Sequence, residues 1–126
     1  MNDINKLAES IVNACFTVHT NLGPGLLESI YEKVLAYELE KSGKRVLCQQ
    51  AIPIQYDGMT FDEGFRADLV VEDTIILELK SVEQVAPVHK KQLLTYLKLS
   101  GKKLGFLVNF GAPMMKDGIT RIVNGL

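Results

Sequence analysis

Two stretches of consecutive apolar residues restrict the fold of this chain most. Ile75-Ile76-Leu77 continues to Leu79, and Leu104-Gly105-Phe106-Leu107-Val108 runs on toward Phe110. Each is short and bounded by turn-forming residues, so each reads as a buried strand rather than a helix. Strands of that kind need cover, and the rest of the chain offers helices to give it.

Residues 4–22 place Ile4, Leu7, Ile11, Ala14, Cys15, Val18 and Leu22 at spacings of three and four, one face of a helix. Gly23-Pro24-Gly25 breaks that pattern, and Pro24 is expected to open a second helix that stops at Gly43. Its inward side should hold Leu27, Ile30, Tyr31, Val34 and Tyr37 or Glu38. Residues 45–56 are strand-like, and Asp57-Gly58 is a hairpin turn. A strand through Phe65, Ala67, Leu69 and Val71 follows, then a polar connection at Glu72-Asp73-Thr74 and a strand over 75–82. Pro87 opens a third helix ending near Ser100-Gly101, and strands over 104–110 and 118–123 finish the chain. The expected order is helix, helix, three antiparallel strands, helix, strand, strand. That is one α/β domain over residues 1–126, a mixed β-sheet flanked by helices.

Several function classes drop out. With 47% hydrophobic and 23% charged residues the chain is not intrinsically disordered. No apolar run approaches the roughly 18 residues of a membrane span. The N-terminal MNDINKLAES lacks a signal-peptide layout, so a cytoplasmic location is expected. Cys15 and Cys48 are expected to be two buried free thiols, and no structural zinc set exists. Neither a glycine-rich phosphate loop nor a G-x-S-x-G elbow occurs. His19 and His89 read as packed or surface residues rather than ligands.

The net charge of -1 hides an uneven distribution. Residues 1–79 carry 13 acids and 6 bases, whereas residues 80–126 carry 2 acids and 8 bases. Lys90, Lys91, Lys98, Lys102 and Lys103 supply most of that excess, enough either to attract a polyanion or simply to form a solvated face.

Glu78 and Lys80 interrupt the apolar run of the third strand, two residues apart and so on one face. Burying a carboxylate and an ammonium costs several kcal/mol unless they are paired, hydrated or metal-bound. Asp68 lies in a similar apolar setting on the preceding strand. A two-residue turn after Val71 would set Asp68 opposite Leu77. An odd-length turn or a bulge would set it opposite Glu78, about 5 Å away. Two facing carboxylates cannot both stay ionised without a counter-charge. A hard divalent ion would supply one, and a salt bridge to Lys80 is the rival explanation.

Arg66-Ala67-Asp68 followed by Glu78-Leu79-Lys80 resembles the signature of the PD-(D/E)XK nuclease superfamily, with Ala67 where that pattern has proline. Gly25-Leu26-Leu27-Glu28-Ser29-Ile30-Tyr31 is similar to the run that names the GxxExxY protein family. So are Leu107-Val108-Asn109-Phe110-Gly111 and the stretch 118–124. Gln92-Leu93-Leu94-Thr95-Tyr96 resembles the Q-x-x-x-Y motif of RecB-type nucleases. The resemblance spans nearly the whole chain. It implies a restriction-endonuclease-like core and a metal-dependent nuclease, in a family made up mainly of predicted nucleases.

On that resemblance Asp68, Glu78 and the backbone carbonyl of Leu79 would bind Mg²⁺ or Mn²⁺. Lys80 would hold the attacking water or stabilise charge on the phosphate. Glu28 would serve as an outer ligand or water holder, with Gln92, Tyr96 and Tyr31 in support. Lys90, Lys91, Lys98, Lys102 and Lys103 would bind nucleic acid, DNA ahead of RNA, and a small domain of this kind could act as a homodimer. A non-catalytic nucleic-acid- or protein-binding module that keeps the fold is the alternative.

Overall fold

The computed structural model describes residues 4–126. The periodic segment at its start forms helix α1 (Ile4–Leu22), with Ala8, Ile11, Cys15 and Val18 buried along one side. Pro24 does not open the next helix. Residues 23–27 form a turn, with Gly23 and Gly25 at positive φ, and α2 begins only at Glu28 (Glu28–Lys41). Tyr31 accounts for the delay: its hydroxyl donates to the Gly23 carbonyl at 2.5 Å and accepts from the Leu26 amide at 3.1 Å. Its ring stacks on Phe110 with centroids 4.5 Å apart. The buried side of α2 is therefore Tyr31, Leu35, Ala36 and Leu39. Leu27, Ile30 and Tyr37, expected inward, are exposed.

Strands β1 (Val46–Tyr56), β2 (Met59–Val71) and β3 (Ile75–Lys80) form an antiparallel meander. Helix α3 (Pro87–Ser100) then crosses to β4 (Leu104–Asn109), which pairs with β3 in parallel. A short helix α4 (Met115–Gly118), not foreseen from the sequence, precedes β5 (Ile119–Val123), antiparallel to β4. The sheet order is β1-β2-β3-β4-β5. The fold is α/β, a mixed five-stranded sheet with flanking helices.

Alternation on β3 assigns the layers. Ile75, Leu77 and Leu79 pack with α1 and α2, whereas Ile76 packs with Leu93 and Leu97 of α3. On β2 the alternation breaks. Phe65 and Ala67 belong to the α3 side, but Leu69 and Val71 belong to the α1–α2 side. Residues two apart in a regular strand share a face, so β2 changes face at Asp68. β1 changes likewise, with Val46 on the α1–α2 side and Ile52 on the α3 side. The expected strand through Phe65, Ala67, Leu69 and Val71 forms, but its residues divide between the two faces of the sheet.

β3 ends at Lys80 rather than running to residue 82. Buried Asn109 draws the chain aside there: its Oδ1 accepts from the Val82 and Gly111 amides, and its Nδ2 donates to the Val82 carbonyl. Gly111 is required by the same approach, because a Cβ there would run into the Val82 backbone. The cysteines also depart from expectation in one respect. Both are free, but Cys48 is exposed while Cys15 is buried, its thiol pushed up to about 12 by desolvation. No helix of the described residues is long and apolar enough to cross a membrane.

Candidate active site

The turn after β2 decides which side chains meet. Glu72 and Asp73 both take positive φ, and the Thr74 amide closes the turn onto the Val71 carbonyl at 3.0 Å. Thr74 is then the extra residue that pairs Val71 with Ile75, Val70 with Ile76 and Leu69 with Leu77. Continuing that register sets Asp68 opposite Glu78, the odd-length alternative.

Beyond Leu69 and Leu77 the carboxylates take over as hydrogen-bond acceptors between the strands. The Asp68 amide donates to Glu78 Oε2 at 3.0 Å, and the Leu79 amide donates to Asp68 Oδ2 at 2.8 Å. A residue's N–H and C=O point to the same side of a strand, so the Leu79 carbonyl also faces the β2 edge. Burial, reinforced by the Asp68 charge, pushes the Glu78 carboxyl up to about 8. The Asp68 amide and the Lys80 charge act against that rise.

Lys80 follows on the same face of β3, and its carbonyl accepts from the Phe110 amide at 2.8 Å. Ion pairs among the described residues join Lys41 to Glu38, Arg66 to Glu63 and Lys102 to Asp73. Lys80 forms no direct ion pair with Asp68 or Glu78, although its charge acts on the Glu78 carboxyl.

Two helices reach the opened edge from opposite layers. From α2, Glu28 accepts from the Ser81 amide at 3.2 Å, next to Lys80. One turn further, Glu32 comes to Asp68 through Gln49, whose side-chain amide donates to Glu32 Oε1 at 2.7 Å and to Asp68 Oδ1 at 3.3 Å. Burial, and then the Asp68 charge, raise the Glu32 carboxyl, opposed by the Gln49 hydrogen bond. From α3, Tyr96 stacks on Phe65 at 3.9 Å. Burial first, then the charges of Glu78 and Asp68, raise its hydroxyl, while Gln92 acts in the other sense. Tyr31 is spent on the turn at residues 23–26 and on Phe110, so it supports the site through the fold.

The lysines divide. Lys90 and Lys91 are exposed at the start of α3, just after β3 ends. Lys98 is exposed at the helix's far end. Lys102 lies at the opposite end of the sheet, held by Asp73 Oδ1 at 3.3 Å and the Asp73 carbonyl at 3.1 Å. Lys103 is beside it, roughly 20 Å along the strand direction from Lys80. Glu32, Gln49 and Asn109 were not singled out from the sequence. The i, i+4 spacing of Glu28 and Glu32 was the one available signal for the first.

Among the described residues no group of three or more His, Cys, Asp or Glu is drawn together as a metal cluster. The donors present nonetheless suit a hard divalent cation. They are all oxygen, and the Glu78 carboxyl, buried beside a second carboxyl group, resists ionising in the absence of a nearby counter-charge. Mg²⁺ takes only one or two protein carboxylates, the remainder being water and phosphate oxygen.

A helix–meander–helix–strand arrangement with Asp and Glu-x-Lys on adjacent strands defines a nuclease-like class. A family model described as the PD-(D/E)XK nuclease superfamily matches residues 5–122, and the chain belongs to that superfamily. Its members typically hydrolyse phosphodiester bonds of nucleic acid and generally use divalent metals. No curated protein and no solved structure matches the chain.

Proposed function

We propose that this protein is a divalent-metal-dependent nuclease of the GxxExxY type, with Asp68, Glu78 and Lys80 as its catalytic residues. One observation carries the reading: the Asp68–Glu78 pair is held across two strands by main-chain amides, with no lysine ion pair to neutralise it. Asp68, Glu78 and the Leu79 carbonyl would hold Mg²⁺ or Mn²⁺. When bound, such a cation makes water a better nucleophile near neutral pH and offsets charge accumulating on phosphate.

The chain's own residues do the rest. The amides of Asp68 and Leu79 fix the carboxylate orientations before substrate arrives, so little reorganisation is needed at the moment of reaction. Lys80 keeps its ammonium free to orient the attacking water or to stabilise the scissile phosphate. Glu28, anchored on the Ser81 amide, holds water from the α2 side. Gln92 and Tyr96 border the site from the α3 side. Lys90 and Lys91 contact phosphates, which positions nucleic acid without reading its sequence. Metal-dependent cleavage of single- and double-stranded DNA and RNA, compared between wild type and Lys80→Ala, tests this reading. Nucleic-acid binding with no turnover in any metal would instead mark a binding module that keeps the fold.

A further inference from the structure

Gln49 has a conformation that its place in β1 does not call for. It lies between the pairs Cys48–Leu69 and Gln50–Ala67, and so opposite Asp68. Yet its φ is 51°, in the left-handed region that a non-glycine residue enters at a cost on the order of 1–2 kcal/mol. It is not in a turn, unlike Asp57, Glu72 and Asp73, the other non-glycine residues at positive φ among the described residues. Its carbonyl is taken by Arg66 Nη1 at 2.8 Å. This is also where β1 and β2 change face.

The conformation has a consequence for the side chain. Gln49 Nε2 donates to Glu32 Oε1 on α2 at 2.7 Å and to Asp68 Oδ1 on β2 at 3.3 Å. A primary amide has two N–H donors, and both are spent on carboxylates from different elements. Asp68 Oδ2 is fixed independently by the Leu79 amide, so both its oxygens are restrained.

We infer that Gln49 is a positioning residue. Its side-chain amide, aimed by the left-handed backbone, locks the Asp68 carboxylate and ties Glu32 to it, setting the site's shape before any cation binds. This rests on the nuclease reading above. An outer hydrogen-bond partner of a metal-binding carboxylate is typically worth 10–100-fold in metal affinity or activity.

Two variants test it. Gln49→Met keeps the length of the side chain and loses the amide. Gln49→Gly loses the side chain and accepts positive φ freely, so its melting temperature without metal should equal or exceed that of wild type. In both, calorimetric Mn²⁺ affinity should fall by about tenfold or more, and kcat on a nucleic-acid substrate should fall while KM stays put. If Gln49→Met does not fold, Gln49→Gly decides. A folded variant with wild-type Mn²⁺ affinity and kcat overturns the inference alone, including the case in which only its stability has dropped. A wild-type protein that neither binds Mn²⁺ nor cleaves overturns the inference together with the nuclease reading.

Discussion

Asp68 and Glu78 hold one another's strands. The Asp68 amide gives its hydrogen to the Glu78 carboxylate, and the amide next to Glu78, that of Leu79, gives its hydrogen to the Asp68 carboxylate. Each acid is therefore both a part of the sheet and a candidate ligand. The arrangement settles carboxylate orientation but leaves two neighbouring carboxyl groups partly buried.

That burial predicts a pH dependence of stability. The Glu78 carboxyl is raised by burial, then by Asp68, from 4.5 to about 8. Between those values the folded protein keeps a proton that the unfolded chain has released, so the contribution of Glu78 to stability is fully present below about pH 4.5 and is lost as pH rises through about 8. Glu78→Gln cannot ionise and should escape the decline, with an advantage on the order of 4 kcal/mol by pH 8 in the absence of metal. Melting curves of both proteins from pH 5 to 8.5 check this. Parallel profiles would show that Glu78 ionises freely in the fold.

A cation that binds only the folded form should offset the same penalty. At about 100 times its dissociation constant, Mg²⁺ or Mn²⁺ should add roughly 3 kcal/mol of stability. Asp68→Asn should lessen that response while keeping a side-chain oxygen for the Leu79 amide. Differential scanning calorimetry with and without metal reads the effect, and an unchanged response in Asp68→Asn would remove Asp68 from the ligand set.

Asn109 satisfies two amides and one carbonyl around the segment that follows Lys80. Asn109→Ala leaves those groups unpaired and should cost about 2–4 kcal/mol in urea unfolding. A change under about 0.5 kcal/mol would mean that water replaces the side chain without loss.

The basic residues should not act equally. Replacing Lys90 and Lys91 together by alanine should weaken nucleic-acid binding and flatten its logarithmic salt slope by roughly 1–2. Lys102→Ala should change binding little, since its ammonium is already committed to Asp73 at the other end of the sheet. Fluorescence anisotropy across a salt series distinguishes them, and a larger effect at Lys102 would place the nucleic acid on the opposite end.

Element order apart from α4 was legible, and the Asp68–Glu78 juxtaposition was one of the two registers the sequence allowed, because both depend on local rules. Apolar runs, Asp57-Gly58 and the odd spacing between Val71 and Ile75 each act over a few residues. What escaped depends on tertiary contacts. Gln49 is not a turn-forming residue, so nothing in its neighbourhood announces a left-handed backbone or the face change at Ala67 and Leu69. Glu32 looks like one more charged residue on a solvated helix until β1 supplies its partner. The start of α2 follows from the Tyr31 hydroxyl reaching back to Gly23, a bond invisible to periodicity. The lysines form a single excess along the chain but split in space, because α3 runs from the end of the sheet where β3 stops to the end where β4 begins.

The nuclease assignment is tested most directly by cleavage kinetics of wild type and Lys80→Ala, purified identically, with Mg²⁺ or Mn²⁺ and with chelator. Wild type should cut nucleic acid only with metal. Lys80→Ala should lose about 10²-fold or more in kcat while binding the same substrate with similar affinity. Equal cleavage by the two proteins, or metal-dependent turnover in neither, would contradict the assignment of Asp68, Glu78 and Lys80 as a catalytic site.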